Sequence, residues 1–196
     1  MDWIAEQIEA LAGLAGRMRE DPQYAAALGR VAARVVETLE RGGKLLTLGN
    51  GGSATDALHL AEELTGRYRG NRAPLPALCL AADGAALTCI GNDFGFEQIF
   101  ARQIEAFCAP GDAVIAFSTS GDSENVVRAL AAARAKGGRT LGMLGRTGGR
   151  ALAFCDEAFV VPEESSARIQ ELHALGLHII CEAVERRFGR PDQGGS

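Results

Sequence analysis

Histidine is scarce in this chain, with three among 196 residues: His59, His173 and His178. Proline is nearly as thin, at six against 25 glycines, a balance that suits backbone-permissive turns and not a linker. Long apolar runs are missing. The longest, such as Ala113–Phe117 and Ala174–Cys181, fall far short of the roughly 18 residues that mark a membrane span. No basic stretch followed by an apolar one opens the chain at Met1-Asp2-Trp3, so the expected location is the cytoplasm. The five cysteines (Cys79, Cys89, Cys108, Cys155, Cys181) are odd in number, widely spaced and without a C-x-x-C pair; they read as reduced thiols that mostly fill the core. Excess positive charge is absent as well. Twenty Lys and Arg against 25 Asp and Glu leave a net charge of −5, which argues against a nucleic-acid partner held by bulk electrostatics. An anionic ligand must then be held by local geometry.

What is present is a globular composition, 47% hydrophobic and 23% charged, in a length that buries a core without disulfides or a structural metal. Apolar residues at Ile4, Ile8, Leu11, Leu14 and Met18 recur at helical spacing until Asp21-Pro22, and Ala27, Leu28, Val31, Val35 and Leu39 carry a second helix to Gly42-Gly43. From Lys44 the pattern changes. Short apolar runs at Lys44–Leu48, Ala77–Ala81, Ala113–Phe117, Arg139–Leu144 and Glu157–Val161 alternate with helical patterns at Thr55–Leu64, Gly95–Phe107, Ser123–Lys136 and Ser166–Phe188. Strands of this length alternating with helices predict βαβ crossovers and a doubly wound α/β domain, its five-stranded parallel sheet covered on both faces. The expected organisation is a single domain over residues 1–188, with an N-terminal helical pair at 1–42, an α/β core at 43–188 and a disordered tail at 189–196.

Two strand-loop-helix corners echo one another: Gly49-Asn50-Gly51-Gly52-Ser53 and Ser118-Thr119-Ser120-Gly121-Asp122-Ser123. Both fall at the carboxyl ends of predicted parallel strands, where open α/β sheets bind ligands. The first loop lets backbone N–H groups approach an anion at a helix start, yet a tight turn has the same need for glycine, so the loop alone leaves both readings open. The second offers four hydroxyls beside a helix N-terminus, more than capping requires, and so favours a phosphate held without a lysine.

His59 and Glu63 stand four apart on the helix after the glycine loop and share a face, where they can ligate a divalent metal or pass a proton. Glu62 is an equally acidic neighbour pointing elsewhere. The last helix carries Gln170, His173 and His178. On a regular helix Gln170 and His178 stand about 80° and about 12 Å apart, wide for two ligands of one metal. Either Gln170 sits before or in a distorted first turn, or the two serve one site from different subunits.

These residues give the chain a strong resemblance to the sedoheptulose-7-phosphate isomerases (phosphoheptose isomerases) of the SIS phosphosugar-binding superfamily. The matching stretches are Gly49–Ser53, His59–Arg67, Gly91-Asn92-Asp93-Phe94-Gly95, Ser118–Gly121 and Arg168–Glu171, and the likeness runs to about Phe188. It implies a homotetramer that interconverts sedoheptulose 7-phosphate and D-glycero-D-manno-heptose 7-phosphate, the first step toward bacterial heptose in lipopolysaccharide or other glycoconjugates. Carried over by motif, Ser118, Thr119, Ser120 and Ser123 hold the phosphate, while Asn50, Gly51, Gly52, Ser53, Asn92, Asp93 and Gln170 line the sugar. His59, Glu63, Gln170 and His178 match the family's Zn2+ ligands, with Glu63 and His178 also its acid/base pair; the family's usage thus prefers His178 to His173. The chain departs from the family at Asp122, where asparagine is usual and where a carboxylate repels phosphate unless it turns away. The N-terminal helices and the last helix offer more apolar surface than a small domain needs to bury, which suits sites lying between subunits. The rival is a non-catalytic SIS module that binds a phosphosugar or a replication initiator; it has no need of His59, Glu63 and His178 together.

Overall fold

The structure, a computed structural model, describes residues 2–189; all but the first residue of the tail expected to be disordered lies outside them. Helices α1 (Asp2–Glu20) and α2 (Pro22–Glu40) form the N-terminal pair. They part at Asp21, whose carboxylate accepts the Gln23 N–H at 3.1 Å while Pro22 opens the second helix, the usual chemistry of a helix start.

Five parallel strands follow: β1 (Leu45–Gly49), β2 (Ala77–Cys79), β3 (Ala113–Ser118), β4 (Arg139–Gly145) and β5 (Glu157–Val161). They lie in the order β2-β1-β3-β4-β5. Helices α3 (Gly52–Thr65), α4 (Gly84–Phe94), α5 (Ala101–Phe107), α6 (Glu124–Ala135) and α7 (Ser166–Phe188) cover the two faces. Strand β3 is buried along its whole length, and its side chains alternate between two cores. Ile115 and Phe117 pack with α2, α3 and α7, whereas Val114 and Ala116 pack with α5 and α6, as the period of two in a pleated strand requires. Each leucine or valine fully buried in these cores is worth roughly 1.5–3 kcal/mol relative to exposure. No helix among the described residues is long and apolar enough to cross a membrane.

The strand order has a functional consequence. From β1 the chain winds outward to β2 and then returns past β1 to β3, so the carboxyl ends of β1 and β3 diverge into the crevice where doubly wound sheets bind ligands. Both small-residue corners open there.

The helix expected over Gly95–Phe107 is corrected. Gly95 has φ +93° and ends α4; a 3₁₀ turn at Phe96–Gln98 follows, and α5 begins only at Ala101. The whole of α4 went unanticipated: it is short, interrupted by glycine and buries no residue fully, its Leu87 and Ile90 packing only partly against the core. Its available signal was Asp83, which accepts the Ala85 and Ala86 N–H groups at 2.9 and 3.1 Å as an N-cap.

Candidate active site

In the first corner Gly51 takes φ +55°, a conformation that favours glycine, and leads directly into α3. Gly52 is needed for space. A Cβ there would stand 2.6 Å from Gln170 Nε2, so its bareness admits the Gln170 carboxamide. Ser53 is buried, and its N–H donates to the Asn50 carbonyl at 3.0 Å. The Asn50 side chain is tied to Asn125, the two amides each donating to the other's oxygen at 2.9 Å. Asn125 is buried on α6, so this pair bridges the crevice between the two corners.

In the second corner the hydroxyls divide their work. Ser118 is buried and its Oγ accepts the Gly121 N–H at 3.0 Å, while Ser120 Oγ accepts the Asp122 N–H at 3.1 Å. Both serve as acceptors that fix the loop. Ser166 Oγ donates to Thr119 Oγ1 at 3.3 Å, and Ser123 caps α6 by position without a side-chain bond to it. The first turn of α6 therefore keeps N–H groups unclaimed by a side-chain cap, beside the Thr119, Ser120 and Ser123 hydroxyls, a cradle for a phosphate. Asp122 is turned elsewhere: its Oδ1 accepts the Arg150 N–H at 3.0 Å, and the Arg150 guanidinium donates to its carbonyl at 2.6 Å. The carboxylate caps the neighbouring 3₁₀ turn, Arg150–Phe154.

Asn92 and Asp93 are exposed at the end of α4, and their side-chain bonds stay local: Asn92 Nδ2 donates to Asp93 Oδ1 at 2.7 Å, and Cys89 Sγ to Asp93 Oδ2 at 3.8 Å. No bond among the described residues joins them to the two corners.

Among the described residues, one group of three metal-capable side chains lies between α3 and α7. His59, Glu63 and His178 each offer an atom within 4.8 Å of the other two. His59 Nε2 is 3.3 Å from Glu63 Oε1, and the two imidazoles meet edge to face with centroids 5.0 Å apart at 82°. All three are half-buried, whereas Glu62 is exposed. Two imidazoles and a carboxylate at this spacing fit a divalent transition metal with an open coordination position, since neighbouring ligand atoms of a tetrahedral site lie about 3.4 Å apart. Asp56 lies one turn before His59 on the same face. Burial pushes its carboxyl up to about 6 against the pull of the His59 charge, and its Oδ2 is buried with no hydrogen-bond partner.

His173 belongs to the core. It is fully buried, its Nε2–H donates to the Leu144 carbonyl at 3.1 Å, and its ring meets Phe117 edge-on at 6.0 Å. Burial holds its pKa down at about 4, so the ring is neutral. Gln170 stands within a continuous α7 that begins at Ser166, about 12 Å along the axis from His178. With its carboxamide at Gly52, it sits seven residues, or about 10 Å, up α3 from His59. The chain thus brings His59, Glu63 and His178 together and holds Gln170 at the mouth of the glycine corner.

The SIS domain family model matches residues 8–145. The phosphoheptose isomerase of Trichlorobacter lovleyi is 45% identical over 184 residues, spanning 94% of this chain and 93% of that protein. Among solved structures, the phosphoheptose isomerase of Neisseria gonorrhoeae superposes with a TM-score of 0.88 at 34% identity, covering 94% of this chain and 98% of its own. That of Francisella tularensis gives 0.88 at 33%, covering 94% and 97%.

Proposed function

The chain belongs to the phosphoheptose isomerases of the SIS domain family, and from that premise we propose that it interconverts sedoheptulose 7-phosphate and D-glycero-D-manno-heptose 7-phosphate through an enediol. The observation that carries the reading is the convergence of His59, Glu63 and His178 between α3 and α7. Moving a carbonyl by one carbon requires a base for the proton on the adjacent carbon and an acid for the oxygen that gains charge. Glu63 fills the first role and returns the proton to the neighbouring carbon; His178 shuttles the proton between the two oxygens. A Zn2+ held by His59, Glu63 and His178 supplies, when bound, Lewis-acid stabilisation of the charge that develops on oxygen.

The phosphate sits at the second corner, held by Thr119, Ser120 and Ser123 and the first turn of α6, with Ser118 shaping the loop. Asn50, Gly51, Gly52 and Ser53 line the sugar, Asn92 and Asp93 closing over it. Gln170, too far along α7 to join the His178 of its own chain, completes the zinc and sugar site of a neighbouring subunit. Sites between subunits suit the homotetramer that the family resemblance implies, working in the cytoplasm and opening the route to heptose for lipopolysaccharide or another glycoconjugate.

The test is direct. Purified protein is incubated with sedoheptulose 7-phosphate and the aldose is followed by NMR, with and without a chelator. Turnover lost on chelation and restored by Zn2+ is expected. No turnover in the zinc-loaded protein overturns the isomerase reading, and turnover indifferent to chelation removes the metal's role alone.

A further inference from the structure

The segment that leaves α3 runs back along α7 and grips it at successive turns. Tyr68 stacks on the His178 ring, centroids 6.1 Å apart at 29°. Arg69 pairs with Glu182 at 2.8 Å, and the Gly70 N–H donates to Glu185 Oε1 at 2.7 Å. His178, Glu182 and Glu185 are spaced i, i+4, i+7, a single stripe of the helix. Arg72, its side chain buried, lies 3.7 Å from Glu185 and donates to the carbonyls of Glu63 and Leu64 at 2.7 and 2.8 Å. One short stretch therefore touches both the main chain of Glu63 and the ring of His178.

His178 differs from the other two histidines in how it is held. The His59 ring meets the Glu63 carboxylate and the His173 ring a main-chain carbonyl. Among the described residues, no side-chain or main-chain group hydrogen-bonds to the His178 ring. Metal-ligating histidines ordinarily have their second nitrogen fixed by a carboxylate or carbonyl. Here the orientation is left to aromatic contacts: the edge of His59 and the face of Tyr68. Tyr68 is itself held, with the Arg69 guanidinium 5.0 Å over its ring and its body packed on the core beneath α3 and α7. Offset-stacked rings at such separations attract beyond their buried area.

We infer that Tyr68 is a positioning residue for His178: its ring face takes the place of a hydrogen-bond partner and sets the plane in which the imidazole meets His59 and Glu63. The inference rests on the reading of this triad as the reactive centre, and it assigns the work to the aromatic face, leaving the hydroxyl dispensable.

The scarcity of histidine makes the test tractable. In protein labelled with 15N-histidine, three imidazoles are assigned by single substitution. Replacing Tyr68 by Phe should leave the His178 resonances, the isomerisation rate and Co2+ affinity near their original values. Tyr68→Leu, which keeps bulk without a π face, and Tyr68→Ala should shift and broaden the His178 resonances, shift those of the adjoining His59 ring to a lesser degree, and leave those of His173 unmoved. The same two should lower kcat about 10-fold at unchanged KM and weaken Co2+ binding about 10-fold, the scale of losing an outer-shell partner. His178 resonances unmoved in Tyr68→Leu, or Tyr68→Phe as impaired as Tyr68→Ala, would overturn the assignment. Because the spectra need neither turnover nor metal, failure of the isomerase reading leaves this outcome decidable.

Discussion

The Gln170 carboxamide and the bare Cα of Gly52 are in direct apposition, closer than any side chain at position 52 would permit. Since the neighbour is the end of a flexible side chain, Gly52→Ala can be accommodated only by moving Gln170. Stability should change by less than about 1 kcal/mol, while kcat/KM falls at least 10-fold, a loss of about 1.4 kcal/mol in transition-state binding. Melting curves and steady-state kinetics check both halves. A variant with full activity would show that Gln170 has no part in turnover.

The three histidines and the two adjacent glutamates form an internal control set. Glu63→Gln and His178→Ala should abolish isomerisation with the fold retained by circular dichroism, whereas Glu62→Gln, on the exposed side of α3, keeps near-normal turnover. His173→Ala should do the reverse of His178→Ala. It opens a cavity and strands the Leu144 carbonyl, costing roughly 2–4 kcal/mol of stability, yet the molecules that fold should turn over normally.

Asp56 and His173 impose opposite pH dependences on stability. The Asp56 carboxyl, raised from 3.8 to about 6, keeps its proton in the folded chain where the unfolded chain has lost it; its contribution therefore declines as pH rises from about 4 to about 6. His173, lowered from 6.5 to about 4, stays neutral where the unfolded chain has taken a proton, so its contribution is lost as pH falls through that window. In metal-free protein, Asp56→Asn should raise the melting temperature near pH 7, and the gain should vanish by about pH 4. A gain independent of pH, or one that grows on acidification, contradicts the assignment.

Asp122 gives a prediction of near-silence. Its carboxylate is engaged by the Arg150 N–H and faces the Arg150 turn, so Asp122→Asn should leave KM for the sugar phosphate within about twofold, a change of under about 0.5 kcal/mol. A large drop in KM would show the charge opposing the phosphate.

The sheet was legible because its central strands are buried on both faces and so read as unbroken apolar runs. Helix α4 was not, being short and only partly buried along its Leu87 and Ile90 face, and the break after Gly95 turns on one backbone angle. At the site, His59 and Glu63 announced themselves through their spacing. His173 and His178, five residues apart, lie about 140° apart around α7, and spacing alone does not say which of them faces the core. Asn125 escaped notice because its importance is a bond to a residue 75 positions away. Tyr68 did so because its importance is a stack on a ring more than a hundred residues further along the chain.

The Asn50–Asn125 pair makes the crevice a gauge. By locking the glycine corner to the α6 corner, it fixes the separation of the two loops. On the proposed reading, in which one loop holds the phosphate and the other lines the sugar, a fixed separation would make the crevice selective for the length of carbon chain that spans it.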